Sequence, residues 1–297
     1  MIAAQIASVL GDARREGRAW RCRCPLHGGH SLIIGDGDRG AVLATCWGGC
    51  DRNSVLAELR ARRLLGADHS PRAAIPPPHP DHMRDDTRRI ERALCIWREA
   101  RDVRGSPVAH YLVGRNIVLD DTWPASLRYH PRCPCPHGER MPAMVALVEH
   151  VTRGIVGVHR TYLTPNYRRH DRAALGPIAG GAVRLGMPHT GEWLAIAEGI
   201  ETALAVVTAC GMPAWAALSA GGVRTVILPP EATHIVICAD HDASGTGERA
   251  ARDAAGRWLA EGRRVRIALP PVIGTDMADV LAGGPHAAMD EARGVAA

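Results

Sequence analysis

Residues 193–204 read Trp-Leu-Ala-Ile-Ala-Glu-Gly-Ile-Glu-Thr-Ala-Leu, and this stretch decides the fold. An apolar run over Trp193–Ala197 predicts a strand, and Glu201–Cys210 predicts a helix. The alternation continues downstream. Ala214–Leu218, His234–Ala239 and Val265–Leu269 read as further strands, with a helix over Ser244–Glu261. Strands alternating with helices predict an α/β fold whose parallel sheet is flanked by helices.

Each acidic motif in this region falls where a strand should end. Glu198-Gly199 follows the first strand, Asp240-His-Asp242-Ala-Ser-Gly245 follows the third, and Asp276-Met-Ala-Asp279 lies beyond the fourth. Ligands of open α/β sheets collect outside the carboxyl ends of the strands, so motifs distant in sequence can converge there. Asp240 and Asp242 stand two apart and face one side of an extended backbone. Magnesium takes oxygen ligands, commonly one or two carboxylates plus substrate phosphates. Such an ion relieves the repulsion between clustered carboxylates and can promote phosphoryl transfer. Gly199 and Gly245 are expected to let backbone and phosphate approach closely. The same acids also suit helix N-termini, and Asp240 or Asp242 could cap the helix near Ser244.

A second set of ligand types lies near the start. Residues 22–27 read Cys-Arg-Cys-Pro-Leu-His and residues 46–50 read Cys-Trp-Gly-Gly-Cys. Two compact pairs, Cys24 with His27 and Cys46 with Cys50, suit tetrahedral Zn²⁺. Cys22 is a fifth candidate that the spacing leaves open. A module of about 65 residues has a small hydrophobic core, and a structural metal would stabilise it. Cys133-Pro-Cys135-Pro-His137 carries ligand types without a second pair nearby apart from His130. It reads as a proline-rich loop with incidental thiols, with a second metal as the alternative.

Prolines at 71, 76, 77, 78 and 80 predict a stiff linker. The expected divisions are a zinc-ribbon module at 1–65, a linker at 66–88, a basic α+β subdomain at 89–190 and a metal-binding domain at 191–297. Within the subdomain a helix is expected over Thr87–Val103. Met144–Glu149 and Ile155–Tyr162 are expected to pair around Arg153-Gly154.

The net charge of +5 is unevenly spread. Residues 89–190 carry 15 Arg against 8 acids, a net of +7, whereas residues 191–297 carry 8 against 13, a net of −5. A basic front and an acidic back suit nucleic acid and cations respectively. No run reaches the roughly 18 apolar residues of a membrane span. The start lacks the pattern of a signal peptide, so a cytoplasmic protein with reduced thiols is expected.

Cys-x-Cys-Pro-x-His followed by Cys-x-Gly-Gly-Cys and a helix (Asn53–Leu65) resembles the zinc-binding domain of bacterial and phage DNA primases. Glu-Gly, then Asp-x-Asp with Gly, then a further Asp pair resembles the Toprim domain of primases, topoisomerases and some nucleases. Glu198-Gly-Ile-Glu-Thr-Ala-Leu204 and Asp276-Met-Ala-Asp279-Val-Leu281 are most similar to phage- and plasmid-type primases. The resemblance implies a core set of Glu198, Asp240 and Asp242 with Mg²⁺ or Mn²⁺, supported by Asp276 and Asp279. Glu201, one helical turn inside the motif, would support Glu198.

In Toprim primases a basic subdomain precedes the metal site. Tyr111-Leu-Val-Gly-Arg115, Leu127-Arg-Tyr-His130 and Val158-His-Arg-Thr-Tyr-Leu163 resemble strings from it. They nominate Arg115, Arg128 and Arg160 for template or nucleotide phosphates, with Arg168 and Arg169 in a mobile basic loop. The implied activity is template-directed synthesis of short RNA primers on single-stranded DNA from NTPs, with a separate replicative helicase as partner. The alternatives are a Toprim-type metal-dependent nuclease and a catalytically inactive DNA-binding accessory.

Overall fold

A computed structural model describes residues 2–17, 19–26, 28–37, 41–46, 50, 52–65, 80–119, 123–136 and 138–282. The chain forms two compact units, residues 1–77 and 78–297. The proline-rich stretch 66–79, His27 and His137 lie outside the described residues.

In the first unit, helix α1 (Ile2–Leu10) precedes β1 (Arg14–Glu16), β2 (Ala19–Cys22), β3 (Leu32–Asp36) and β4 (Val42–Cys46). These strands make one antiparallel sheet in the order β1-β2-β3-β4, and α2 (Arg52–Ala61) follows. Strict alternation along β4 buries Val42, Ala44 and Cys46 and exposes Leu43 and Thr45. The buried face packs on Ile6 and Leu10 of α1 and on Val55 and Leu59 of α2. Its apolar material is aliphatic, with Trp20 at the margin.

The second unit opens with α3 (Pro80–Glu99), which starts inside the stretch expected as linker and ends before Val103. Helix α4 (Pro107–Val113) is capped by the Ser106 hydroxyl, which accepts from the Val108 N–H, with Pro107 at its start. Strands β5 (Leu127–Pro134), β6 (Arg140–His150), β7 (Gly154–Leu163) and β8 (Arg169–Leu175) form an antiparallel sheet in that order. The expected β6–β7 pair is present, running from Ala143↔Tyr162 to His150↔Gly154. Arg169 opens β8; the turn before it spans Thr164–Arg168.

The second sheet of this unit contains β9 (Val183–Arg184), β10 (Trp193–Ala197), β11 (Ala214–Ala216), β12 (His234–Cys238) and β13 (Arg264–Ala268). Its order is β13-β12-β10-β11-β9, parallel except for β9. Helix α5 (Ile200–Cys210) packs on one face through Ile200, Ala203 and Leu204. Helices α6 (Ala220–Thr225) and α7 (Thr246–Ala260) cover the other, where Ala251, Ala254, Ala255 and Trp258 meet Ile235 and Ile237. Each fully buried Leu or Ile contributes about 1.5–3 kcal/mol. Helix α8 (Met277–Ala282) packs beside α5. The fold is α/β, with the parallel sheet between helical layers as the alternation predicts.

Candidate metal centres

The parallel sheet carries Glu198 one residue past β10, and Asp240 and Asp242 just past β12. Glu198 is largely buried. Burial lifts its carboxyl above the ordinary range; Arg172 opposes this, Asp242 adds to it, and the Ala220 backbone N–H donates to it. Asp240 is lifted further, to about 7, by burial first and then by Glu198, Asp276 and Asp242, with Arg172 opposing. Four acids from separate strand ends and one helix start therefore act on one another.

Asp240 Oδ1 is buried without a hydrogen-bond partner. A buried carboxylate oxygen left bare costs energy that a coordinated cation would offset. Its environment therefore fits a divalent ion with oxygen ligands better than an isolated carboxylate.

Asp242 differs. Its Oδ1 accepts the Ser244 N–H at 2.9 Å, the Thr246 N–H at 3.3 Å and the Ser244 hydroxyl, and its Oδ2 accepts the Gly247 N–H at 2.9 Å. Burial works against ionisation here, but these donors outweigh it and hold the carboxyl below its usual range. Asp242 thus fastens the entry of α7, the capping role considered for it above, while facing Glu198 and Asp240 electrostatically.

Asp276 and Asp279 form a reciprocal box at the start of α8: each backbone N–H donates to the other's carboxylate at 3.0 Å. Asp276 also bears on Asp240 and meets Arg115 Nη2 at 3.7 Å. Of the three nominated arginines, the structure places Arg115 beside the carboxylates. Arg128 donates to the Trp97 carbonyl at 3.0 Å and lies over the Trp97 ring. Arg160 is buried and donates to the Pro134 and Ala174 carbonyls at 2.9 and 3.3 Å, tying β7 to the end of β5 and to β8. Arg172, which no motif singled out, bears on both Glu198 and Asp240.

The glycines divide differently from expectation. Gly199 has φ −93° and room for a Cβ, so neither strain nor crowding requires glycine there. Gly245 is left-handed at φ +63° and precedes α7. The crowded position is Gly247, where a Cβ would run into the Asp240 carbonyl oxygen. Close passage of α7 over Asp240 therefore depends on that residue.

In the first unit, the sulfurs of Cys24, Cys46 and Cys50 all lie within 4.8 Å of one another, with Cys24 and Cys50 3.9 Å apart. Tetrahedral zinc with about 2.3 Å bonds to thiolates sets its sulfurs about 3.8 Å apart, so the three fit Zn²⁺. The first knuckle is shaped by Gly28 N–H donating to the Cys24 carbonyl at 2.9 Å and Cys24 N–H to the Gly29 carbonyl at 2.7 Å. Cys22 instead ends β2 in the hydrophobic core, where burial pushes its thiol up to about 11. Of the two candidates, Cys24 is the one brought to the other sulfurs. His27 lies outside the described residues.

Cys133 is buried within β5, and Cys135 follows that strand in a turn closed by its N–H to the Glu139 carbonyl. Strand and turn replace the expected proline-rich loop. Among the described residues they join no metal-competent cluster. No helix among the described residues is long and apolar enough to cross a membrane.

Residues 193–285 match the Toprim domain, and residues 87–185 match a domain of unknown function, DUF7146. The sheet with acidic strand ends is thus a Toprim domain, and the N-terminal unit adds a cysteine cluster that fits zinc. Several solved structures are similar. The zinc-binding and RNA polymerase domains of the Aquifex aeolicus primase are 13% identical, with 98% of this chain and 82% of that one covered, at a TM-score of 0.44. The DnaG catalytic core is 15% identical, with coverage of 69% and 79% and a TM-score of 0.47. The primase fragment of the bacteriophage T7 primase-helicase protein is 17% identical, with coverage of 56% and 66% and a TM-score of 0.39. No curated protein matches the chain.

Proposed function

We propose that this protein is a DNA primase that joins NTPs into short RNA primers on single-stranded DNA. The reading is supported above all by Asp240, whose buried Oδ1 has no hydrogen-bond partner and whose carboxyl interacts with Glu198, Asp276 and Asp242 inside a Toprim domain. The N-terminal cysteine cluster favours a primase over other Toprim enzymes, because it matches the primase-type knuckle spacing.

Glu198, Asp240 and Asp242 would hold Mg²⁺ or Mn²⁺, with Asp276 and Asp279 in support. Such an ion, when bound, neutralises charge at a transferring phosphoryl group. The chain's own residues supply the rest. Asp242 is held in place by four donors, two from Ser244 in the preceding turn and two from the first residues of α7. Arg115, ion-paired to Asp276, and Arg172 bring positive charge to the same acids and would attract the phosphates of NTP or strand. Cys24, Cys46 and Cys50, with His27 as the fourth ligand, would hold structural Zn²⁺. A replicative helicase is the expected partner.

Purified protein incubated with single-stranded DNA, NTPs and Mg²⁺ or Mn²⁺ should yield short oligonucleotides, and Asp240→Ala should yield none. Failure across several templates on which a known primase succeeds would overturn the reading. Metal-dependent cutting of DNA without NTPs would replace it with a nuclease.

A further inference from the structure

Tyr167 and His110 stack at 4.9 Å between ring centroids, with planes 23° apart. Both rings are exposed, Tyr167 to 44%. His110 stacks against one face of the phenol, while the residue as a whole stays exposed. The pair is held from both sides. His110 Nδ1 lies 3.0 Å from the Ser106 carbonyl. The Tyr167 N–H donates to the Thr164 carbonyl at 3.0 Å, and the Thr164 N–H to the Arg168 carbonyl at 2.8 Å. The Thr164 hydroxyl also accepts the Arg168 N–H at 3.1 Å.

Within this turn Tyr167 has φ +57°, a left-handed conformation that costs a side-chain-bearing residue about 1–2 kcal/mol. Asn or Gly would occupy the turn with less strain, so an exposed tyrosine there needs a reason beyond folding. Its surroundings are basic and lead to the carboxylates. Arg168 and Arg169 follow it in sequence and are exposed. Arg169 bears on Tyr111, the residue after His110, and Tyr111 donates to Glu201, three residues from Glu198. Tyr129, which interacts with Tyr167, is itself next to Arg101.

We infer that the open face of Tyr167, backed by His110, is a stacking platform for one nucleobase of a single strand held by the neighbouring arginines. Flat aromatic surface next to guanidinium groups is what an unpaired base on a phosphate backbone requires. The inference rests on the nucleic-acid reading above but not on turnover.

The test is a binding titration with the full chain. A single-stranded oligothymidylate is compared with an abasic deoxyribose-phosphate oligomer of equal length, and ATP with Mn²⁺ forms a separate arm. Wild type should prefer the base-bearing strand by about five- to a hundredfold. Tyr167→Asn, which suits the left-handed turn, should lose much of that preference and bind the abasic oligomer as wild type does. Tyr167→Phe, which keeps the ring, should retain the preference. A loss confined to ATP would assign the platform to the incoming nucleotide's base. If Tyr167→Asn changes neither arm, the platform is disproved. Primer synthesis is not read by this titration, so its absence would count against the proposed function and leave the platform standing.

Discussion

Tyr111 donates its phenolic hydrogen to Glu201 Oε1 across 2.6 Å, joining α4 to the first turn of α5 in the Toprim domain. Both side chains are buried, and His159 from β7 bears on the same carboxylate. Burial and the Glu201 charge keep the phenol protonated far above its usual range. Glu201 thus serves a joint between two parts of the unit, one turn from Glu198. Tyr111→Phe leaves Glu201 short of a donor and should cost about 1–3 kcal/mol in denaturant unfolding. A wild-type midpoint in the Phe variant would show the bond to be dispensable.

Asp240 gives a pH-dependent prediction. Its pKa rises from 3.8 to about 7 on folding, so the folded protein holds the proton more tightly than the unfolded chain. The stability it contributes is fully present below the unfolded value and is lost as pH rises through about 7. In EDTA, Asp240→Asn should therefore melt higher than wild type at about pH 8, and this advantage should shrink at about pH 4. Mn²⁺ should raise the wild-type Tm at pH 8 but not that of the variant. Equal melting of both proteins in EDTA at high pH would remove the basis for this assignment.

His159 has the opposite sign. Burial lowers its pKa from 6.5 to about 4, and its Nδ1 is buried without a partner. Its contribution is present above 6.5 and lost as pH falls through about 4. His159→Gln should flatten the acid limb of a stability–pH curve between those values, which urea titrations across the window will read.

Gly247→Ala places a methyl against the Asp240 carbonyl and must push α7 away from the site. A loss of about 1–3 kcal/mol is expected. Mn²⁺ affinity should also fall, while far-UV circular dichroism stays close to wild type. Gly199→Ala, whose Cβ would make only ordinary van der Waals contacts, should bind metal normally.

Zinc content separates the clustered cysteines from their core neighbour. Cys46→Ser and Cys24→Ser should lose stoichiometric zinc and make residues 1–65 protease-sensitive. Cys22→Ser should keep its zinc while losing some stability, because that side chain is fully buried in the apolar core.

The strands with acidic ends were legible because each is a short apolar run closed by a carboxylate. Trp193–Ala197 has the bounds expected, β12 ends one residue earlier than expected, and β13 is shifted by one residue at both ends. Helix α6 has no sequence expectation to match it: its paired glycines Gly221 and Gly222 are weak helix formers, yet Gly222 permits close contact with the Ala217 carbonyl. The two-residue strand β9 has no signal of its own and is defined by its partner β11. The arginines show the harder limit. Arg115, Arg128 and Arg160 look alike in sequence, yet one meets Asp276 and two hold main-chain carbonyls far along the chain. Arg172 had no motif around it at all.

Strand β9 has a practical consequence. Trp215 Nε1 donates to the Gly186 carbonyl at 2.9 Å, the Arg184 guanidinium lies over the same indole, and Ser126 Oγ donates to the Arg184 carbonyl at 2.6 Å. Ala182 bridges to Glu149 of β6. The parallel sheet is therefore finished by residues that precede its first parallel strand. A recombinant fragment beginning at Gly191 would leave the ladder of β11 open along one side, inviting self-association into aggregates. A fragment beginning at Pro80 keeps that side covered and is the piece to crystallise.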